Sequence, residues 1–301
     1  MPMLNAKPTL KSTLIALLYL APLLLIVGVF TLWPLITTFL MSGYTHYNYF
    51  TNHVGGLGMV NFQFLWHDPD FHLALRNTLF FVIGVVPATV FLALGAALLL
   101  NRLPQLATFF RTVYFLPFVT STVAISLVWN WLFHRDNGLL NALLRTHVDW
   151  LNDPHYALGA LIIVCIWQNL GFNIILFLAG LNHLDPRYQA AANLDGASTW
   201  QRLTNVTWPL LTPMTVLITV NAIITNFKVF NQIYALFHGT AGPANADITL
   251  MYYLYQKFYV ENQYPVAAAC GVVLFGLILL ITGLAALYFH RHAWWRGGQR
   301  G

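Results

Sequence analysis

The chain has 301 residues, 58% of them hydrophobic and 8% charged, with a formal net charge of +5 and a mean hydropathy of +0.64. Soluble domains carry about 25% charged residues, so a surface this poor in charge excludes a dissolved monomer and makes the bilayer the solvent. The two cysteines, Cys165 and Cys270, sit in apolar runs without CxxC spacing, which excludes a disulfide framework or a cysteine metal site.

A membrane helix needs about 20 apolar residues, and six segments reach that length: 14–40, 78–100, 113–133, 157–181, 214–234 and 266–289. The expected fold is an all-α membrane protein with six transmembrane helices. The first segment follows Lys7 and Lys11 as a signal peptide would. It is far longer than the roughly 7–15 residues of a signal core, so it reads as a retained helix. Pro22, Pro34, Pro87 and Pro117 fall inside spans, where neighbouring helices satisfy the freed carbonyls. The fifth segment is the weakest, interrupted by Asn221, Asn226 and Lys228.

Orientation follows from lysine and arginine in the short loops. The side shared by both termini holds nine basic residues: Lys7, Lys11, Arg102, Arg111, Arg187, Arg202, Arg291, Arg296 and Arg300. The other side holds four, Arg76, Arg135, Arg145 and Lys257, and most of the acids, Asp68, Asp247 and Glu261 among them. Both termini are therefore expected in the cytoplasm. The division is a cytoplasmic N-terminus at 1–13, a first span at 14–40, a periplasmic loop at 41–73, a core at 74–289 and a basic tail at 290–301. The positive charge is spent on topology, and nucleic acid is not an expected partner. Eleven histidines invite a metal or catalytic reading. They lie mostly in outer loops and at span ends without HExxH spacing, so neither catalytic nor metal-binding residues are expected.

The stretch RYQAAANLDGASTWQRLTNVTWPLLTP, residues 187–213, interrupts the apolar pattern on the cytoplasmic side. Asp185-Pro186 is a helix start, and the alanines after it suit a short helix. Asp195-Gly196 ends that helix, because glycine accepts the left-handed conformation. Ser198, three residues before Gln201, fits a capping box. A second short helix carrying Trp200, Leu203 and Val206 follows, and Pro209 and Pro213 are expected to punctuate the entry to the fifth span. An exposed tryptophan and leucine on such a helix call for a partner surface or for the bundle itself.

This stretch resembles the EAA loop of binding-protein-dependent ABC transporter permeases, through Ala191-Ala192, Asp195-Gly196-Ala197 and Pro209. It departs from that pattern at Ala190, where the family has Glu. Residues 110–141, 166–186 and 226–256 resemble further blocks of the carbohydrate-uptake branch, of maltose or glycerol-3-phosphate type. The resemblance implies the type I ABC importer permease fold in a prokaryotic cytoplasmic (inner) membrane. It implies that the 185–209 loop couples to cytoplasmic ATPases through Ala191, Ala192, Asp195, Gly196, Ala197, Ser198, Trp200, Leu203 and Pro209. It also implies partners: a second permease chain, two ATP-binding subunits that hold ATP and Mg, and a periplasmic or lipid-anchored solute-binding protein. This chain has no phosphate-binding Gly-x-x-x-x-Gly-Lys-Ser/Thr loop of its own.

Polar groups inside spans face a bundle interior or a water-filled path. The candidates for a substrate path are Trp167, Asn169, Gly171, Phe172, Asn173, Asn221, Asn226 and Lys228. Asn169 and Asn173 share a helix face, and Gly171 between them admits a ligand or another backbone. The same amides serve equally as interhelical hydrogen bonds, and Lys228 as a snorkelling cation. A self-sufficient secondary transporter is the rival, against which stands the lack of Asp or Glu inside the spans.

Overall fold

The computed structural model describes residues 10–297, without the side chains of 10–13, 16, 104–108 and 289–297. The expected cytoplasmic N-terminus and basic tail lie outside the described residues, apart from the helical backbone at 10–13 and 290–297.

The first span is α1 (Leu10–Val27), a π turn at Gly28–Leu32 and α2 (Trp33–Ser42), joined without a break. The wide turn ends where the Trp33 N–H reaches the Gly28 carbonyl, immediately before Pro34. A proline ring clashes with the carbonyl four residues back, and the extra residue of a π turn absorbs that conflict. The outer loop holds a two-stranded ribbon, β1 (Tyr44–Thr45) antiparallel to β2 (Gly56–Leu57). Buried Asn61 pins it by donating to the carbonyls of Ser42 and Tyr44 at 2.8 and 2.9 Å.

After α3 (Val60–His67), the second span is α4 (Pro69–Asn101), capped by the Asp68 carboxylate on the Asp70 N–H. It starts well before the expected residue 78, because the Asp68-Pro69 start signal lies upstream of the apolar run.

The third span is a correction to the sequence reading. Instead of one helix over 113–133, α5 (Pro104–Val119) and α6 (Thr122–Leu132) meet at 100°. Pro117 deprives the last turn of α5 of a donor. Thr120 then leaves the helix with ψ 148°, its hydroxyl bonded to the Leu116 carbonyl, an alternative that threonine side chains offer the backbone. A short α7 (Leu139–Leu144) precedes the fourth span, α8 (Pro154–Asn182).

The loop after the fourth span carries α9 (Pro186–Leu194) and α10 (Thr199–Arg202). Here is a second correction. Pro209 and Pro213 do not separate the loop from the fifth span. A π turn at Leu203–Thr207, closed by the Trp208 N–H on the Leu203 carbonyl, leads straight into α11 (Trp208–Phe227). The device is the same Trp-Pro pair that opens α2. The helix ends at Phe227, with Lys228 as its cap, so residues 228–234 fall beyond it. The outer segment holds α12 (Asn231–Leu236) and α13 (Leu250–Tyr255), and a third π turn at Gln256–Val260 precedes the sixth span in α14 (Tyr264–Gly297).

Among the described residues, five helices are long and apolar enough to cross a membrane, and the bent α5–α6 pair makes a sixth candidate. α8 packs centrally against α4, α5 and α11, and α14 packs against α2 and α11. Side chains such as Phe81, Leu161, Ile174, Phe177 and Ile218 fill the contacts, each fully buried.

Candidate functional site

The loop between the fourth and fifth spans is a braced corner. Asp185 caps α9 on the Arg187 N–H. The helix ends with the Asp195 N–H on the Ala191 carbonyl, and Gly196 turns the chain with φ +71°. The Ala197 N–H returns to the carbonyl of buried Ala192. Ser198 and Gln201 form the reciprocal capping box, at 3.3 Å from the Gln201 N–H to Ser198 Oγ and 2.7 Å from the Ser198 N–H to Gln201 Oε1.

Two side-chain bonds then tie the arms together. Arg202 donates to Asn193 Oδ1 near the tip. Gln189 Nε2 donates to Thr207 Oγ1 at 2.8 Å near the base. Leu203 starts the π turn and Pro209 sits in the first turn of α11. Among the polar residues of its exposed surface the loop also presents two large apolar side chains: Leu194 is 90% exposed and Trp200 71%. A braced polar loop that presents two large apolar side chains has the character of a docking knob. Gln189 and Arg202 carry this bracing. Their partners lie 18 and 9 residues away, so no local pattern marks them.

The path candidates on α8 are mostly engaged by neighbours. Asn169 donates to the Cys165 carbonyl, and Asn173 to the Asn169 carbonyl. Asn173 Oδ1 is buried without a hydrogen-bond partner among the described residues. Phe172 stacks on Phe118 at 4.7 Å, and Trp167 meets Trp129 edge-on at 5.6 Å while remaining 41% exposed. At Gly171 the close approach belongs to a backbone and not to a ligand. A Cβ there would lie 1.7 Å from the Tyr114 carbonyl oxygen, so α5 fills the space expected for substrate. On α11, Asn226 is buried and bonded to the Ala222 carbonyl, whereas Asn221 and Lys228 are exposed. None of these eight residues lines the cleft of about 560 Å³ at the end of α6.

Gln232 on α12 donates to Gln168 on α8 at 3.1 Å. Asn130 on α6 donates to the carbonyls of Ser126 and Leu236 and lines that cleft. The cleft is walled by Asp136, Asp149, Asn152, His238 and Thr240, at the ends of α6, α8 and α12. Buried Asn141 shapes one wall, donating to the carbonyls of Arg135 and Val148 and accepting from Trp150. Opposite it, the segment after α12 is fastened to α4 by Asn77, which donates to the Ala246 and Ile248 carbonyls, and by Thr78, which accepts from the Leu250 N–H. Asp247 in that segment is fully buried, with both carboxylate oxygens unpartnered among the described residues. Burial pushes its carboxyl up to about 8.

A second cluster ties the outer loop to the sixth span. Lys257 Nζ is 2.9 Å from Glu261 Oε2 and 3.5 Å from Asp68 Oδ2. It lies 5.4 and 5.1 Å from the ring centroids of Phe64 and Tyr253. The Tyr253 hydroxyl donates to Asp68 Oδ2 at 2.7 Å. Burial raises the Asp68 carboxyl, but the Tyr253 and Asp70 bonds and the Lys257 charge outweigh it, and its pKa lies below the ordinary value.

The sequence and the fold are similar to those of known transport proteins. The permease protein LacF of the lactose transport system of Rhizobium radiobacter is 34% identical over 281 residues, covering 91% of this chain and 92% of LacF. The permease protein AraP of the arabinooligosaccharide transport system of Bacillus subtilis is 31% identical, covering 88% of this chain and 85% of AraP. Among solved structures, a bacterial alginate ABC transporter in complex with an alginate pentasaccharide-bound periplasmic protein superposes with a TM-score of 0.79. That match has 21% identity and covers 94% of this chain and 96% of the other, which establishes the fold. The family model described as the binding-protein-dependent transport system inner membrane component matches residues 71–293. A multi-pass chain with that match across its core, and with relatives this similar along most of its length, belongs to the binding-protein-dependent transport system inner membrane components.

Proposed function

We propose that this chain is one half of the translocation path of an ATP-driven importer for a saccharide or related polyol, and that its 185–209 loop takes the push of the motor. The remaining subunits in this reading are a second permease chain, two cytoplasmic ATP-binding subunits that hold ATP and Mg, and a periplasmic or lipid-anchored solute-binding protein. The chain sits in a prokaryotic cytoplasmic membrane with both termini inside. It does no chemistry on its cargo; hydrolysis belongs to the partner subunits. Relatives named for lactose and arabinooligosaccharides support the sugar assignment. Amide-rich groups such as Gln168, Gln232 and Asn130 can donate and accept as hydroxyl-rich cargo requires.

The observation that carries the coupling reading is the exposure of Leu194 and Trp200 on a loop whose two arms are cross-braced by the Gln189–Thr207 and Arg202–Asn193 bonds. Water-facing tryptophan on a rigid corner has its use in a partner's groove. The test is a Ser198→Cys variant in membranes that hold the full transporter. Both native cysteines are buried, so position 198 offers the accessible thiol. A cross-linker of short reach should capture the ATP-binding subunit, and Trp200→Ala should weaken capture and sugar uptake together. Capture of nothing in actively importing membranes would remove the docking role. Sugar uptake that persists after deletion of the ATP-binding subunit would favour the self-sufficient secondary transporter.

A further inference from the structure

We propose that Gln189 is a positioning residue for coupling: its bond to Thr207 locks α9 onto the root of the fifth span, so that a push on the loop tip moves the fourth and fifth spans together. The proposal rests on the docking reading above and adds the route by which motion leaves the loop.

The two arms join the membrane differently. On the side of the fifth span, α10, the π turn and α11 run unbroken from Thr199 to Phe227. On the side of the fourth span the helix stops. His183 caps α8, and Asp185 is extended with ψ 122° before Pro186 restarts the chain. A push on Trp200 thus reaches α11 through continuous helix. Along the loop itself it reaches α8 only through a three-residue joint, unless something stiffens α9; the other route is the packing of α8 against α11. At the tip, Gly196 with φ +71° makes a corner but supplies no side-chain bond.

The Gln189–Thr207 bond closes this open frame at its base. It spans 18 residues at 2.8 Å. Thr207 is only 6% exposed and terminates the π turn. The next residue, Trp208, stacks on Phe91 of α4 at 6.4 Å and 11°. The anchor for α9 therefore lies where the loop helix enters the bundle, at the point where the helix is already widened. With the Arg202–Asn193 bond near the tip, the loop becomes a closed frame with two cross-members. Without the Gln189 bond, α9 is held only near its tip and hinges at residues 183–185, so the loop drives the fifth span directly and the fourth only through the packing of α8 on α11.

The test uses the complete transporter, assembled with its partner subunits. Spin labels at Tyr188 and Asn205 report the spacing of the two arms with and without Mg-ATP. Import of lactose or an arabinooligosaccharide per ATP hydrolysed reports coupling. Gln189→Leu and Thr207→Val each remove one end of the bond, and Thr207→Ser keeps the hydroxyl. Each removal should raise the population with separated arms about fivefold, the worth of one neutral hydrogen bond, and should raise ATP consumed per sugar by a similar factor. The double variant should do no more than either single one, and Thr207→Ser should behave as the native chain.

Unchanged arm spacing, or separated arms with unchanged ATP per sugar, would overturn the proposal. So would effects that add in the double variant. Cross-linking from position 198 in the same variants keeps the two readings apart. Docking that persists while coupling falls supports the positioning role. Docking lost in step with transport makes Gln189 only a shaper of the knob and overturns that role. A native chain that never contacts the ATP-binding subunit removes the docking reading itself.

Discussion

Replacing Gly171 by alanine tests whether α8 is crossed by α5 or lined by cargo. The added Cβ would sit 1.7 Å from the Tyr114 carbonyl oxygen, 2.4 Å from its carbon and 3.0 Å from the Phe115 nitrogen. All three are backbone atoms, so no side chain can rotate away. Restoring ordinary contact requires the helices to part by about 1.7 Å or more, which over-packs the crossing at about 1–3 kcal/mol. The stack of Phe118 on Phe172 loosens with it.

Gly276→Ala on α14 is the control. Nothing lies within 4 Å of its Cβ position, and alanine gains about 1 kcal/mol in helix propensity over glycine. The two variants should then differ by about 2–4 kcal/mol, or about 5 °C or more in Tm for a chain of this size. The assay is thermal unfolding of the purified detergent-solubilised transporter, followed by size-exclusion with fluorescence detection. A Gly171→Ala protein as stable as Gly276→Ala, but defective in import, would refute the crossing and return Gly171 to the path.

Asp247 predicts a pH dependence. Its carboxyl is raised from 3.8 to about 8, so between those values the folded chain holds a proton that the unfolded chain has lost. Stability is full below about pH 4 and falls as pH rises towards 8, by about 1.4 kcal/mol per unit as an upper bound. Asp247→Asn should flatten the melting profile across pH 5 to 8 and melt higher at the alkaline end; parallel profiles would contradict the buried, unpartnered carboxyl. Lys257→Met should cost about 3 kcal/mol, since it strands Asp68 and Glu261 beside a missing cation. Limited proteolysis between β1 and β2 should accelerate at the same time, and an unaltered cleavage rate would show that the outer loop is held by other means.

The parts legible in the sequence are those with local chemistry. Gly196 and the Ser198–Gln201 box act within a few residues, and both stand as read. The apolar runs gave the spans because length and hydropathy belong to each segment alone. The break in the third span was harder. Pro117 was visible, but proline inside a membrane helix is compatible with continuity, and the decision fell to Thr120 leaving the helix. Pro209 misled in the other direction, since a π turn lets the helix run through it.

Least legible were the pairings between distant segments. The Tyr253–Asp68 bond joins residues 185 apart, and Asn77 meets the segment after α12 across 169. Residues such as Asn169 and Gly171 announced that something approaches α8. Only the packed backbone shows that the visitor is Tyr114.

The π turns that precede Pro34 and Pro209 each carry one residue more than an α-helix would need. One surplus residue advances the azimuth of everything on its far side by about 100°. Trp200 and its neighbours are therefore aimed by a different compass bearing from the one that α11 alone would give them. A single-codon deletion between Leu203 and Thr207 would let the turn close as plain α-helix with the tip of the loop facing as before, and would bring the Pro209 ring against the carbonyl four residues back.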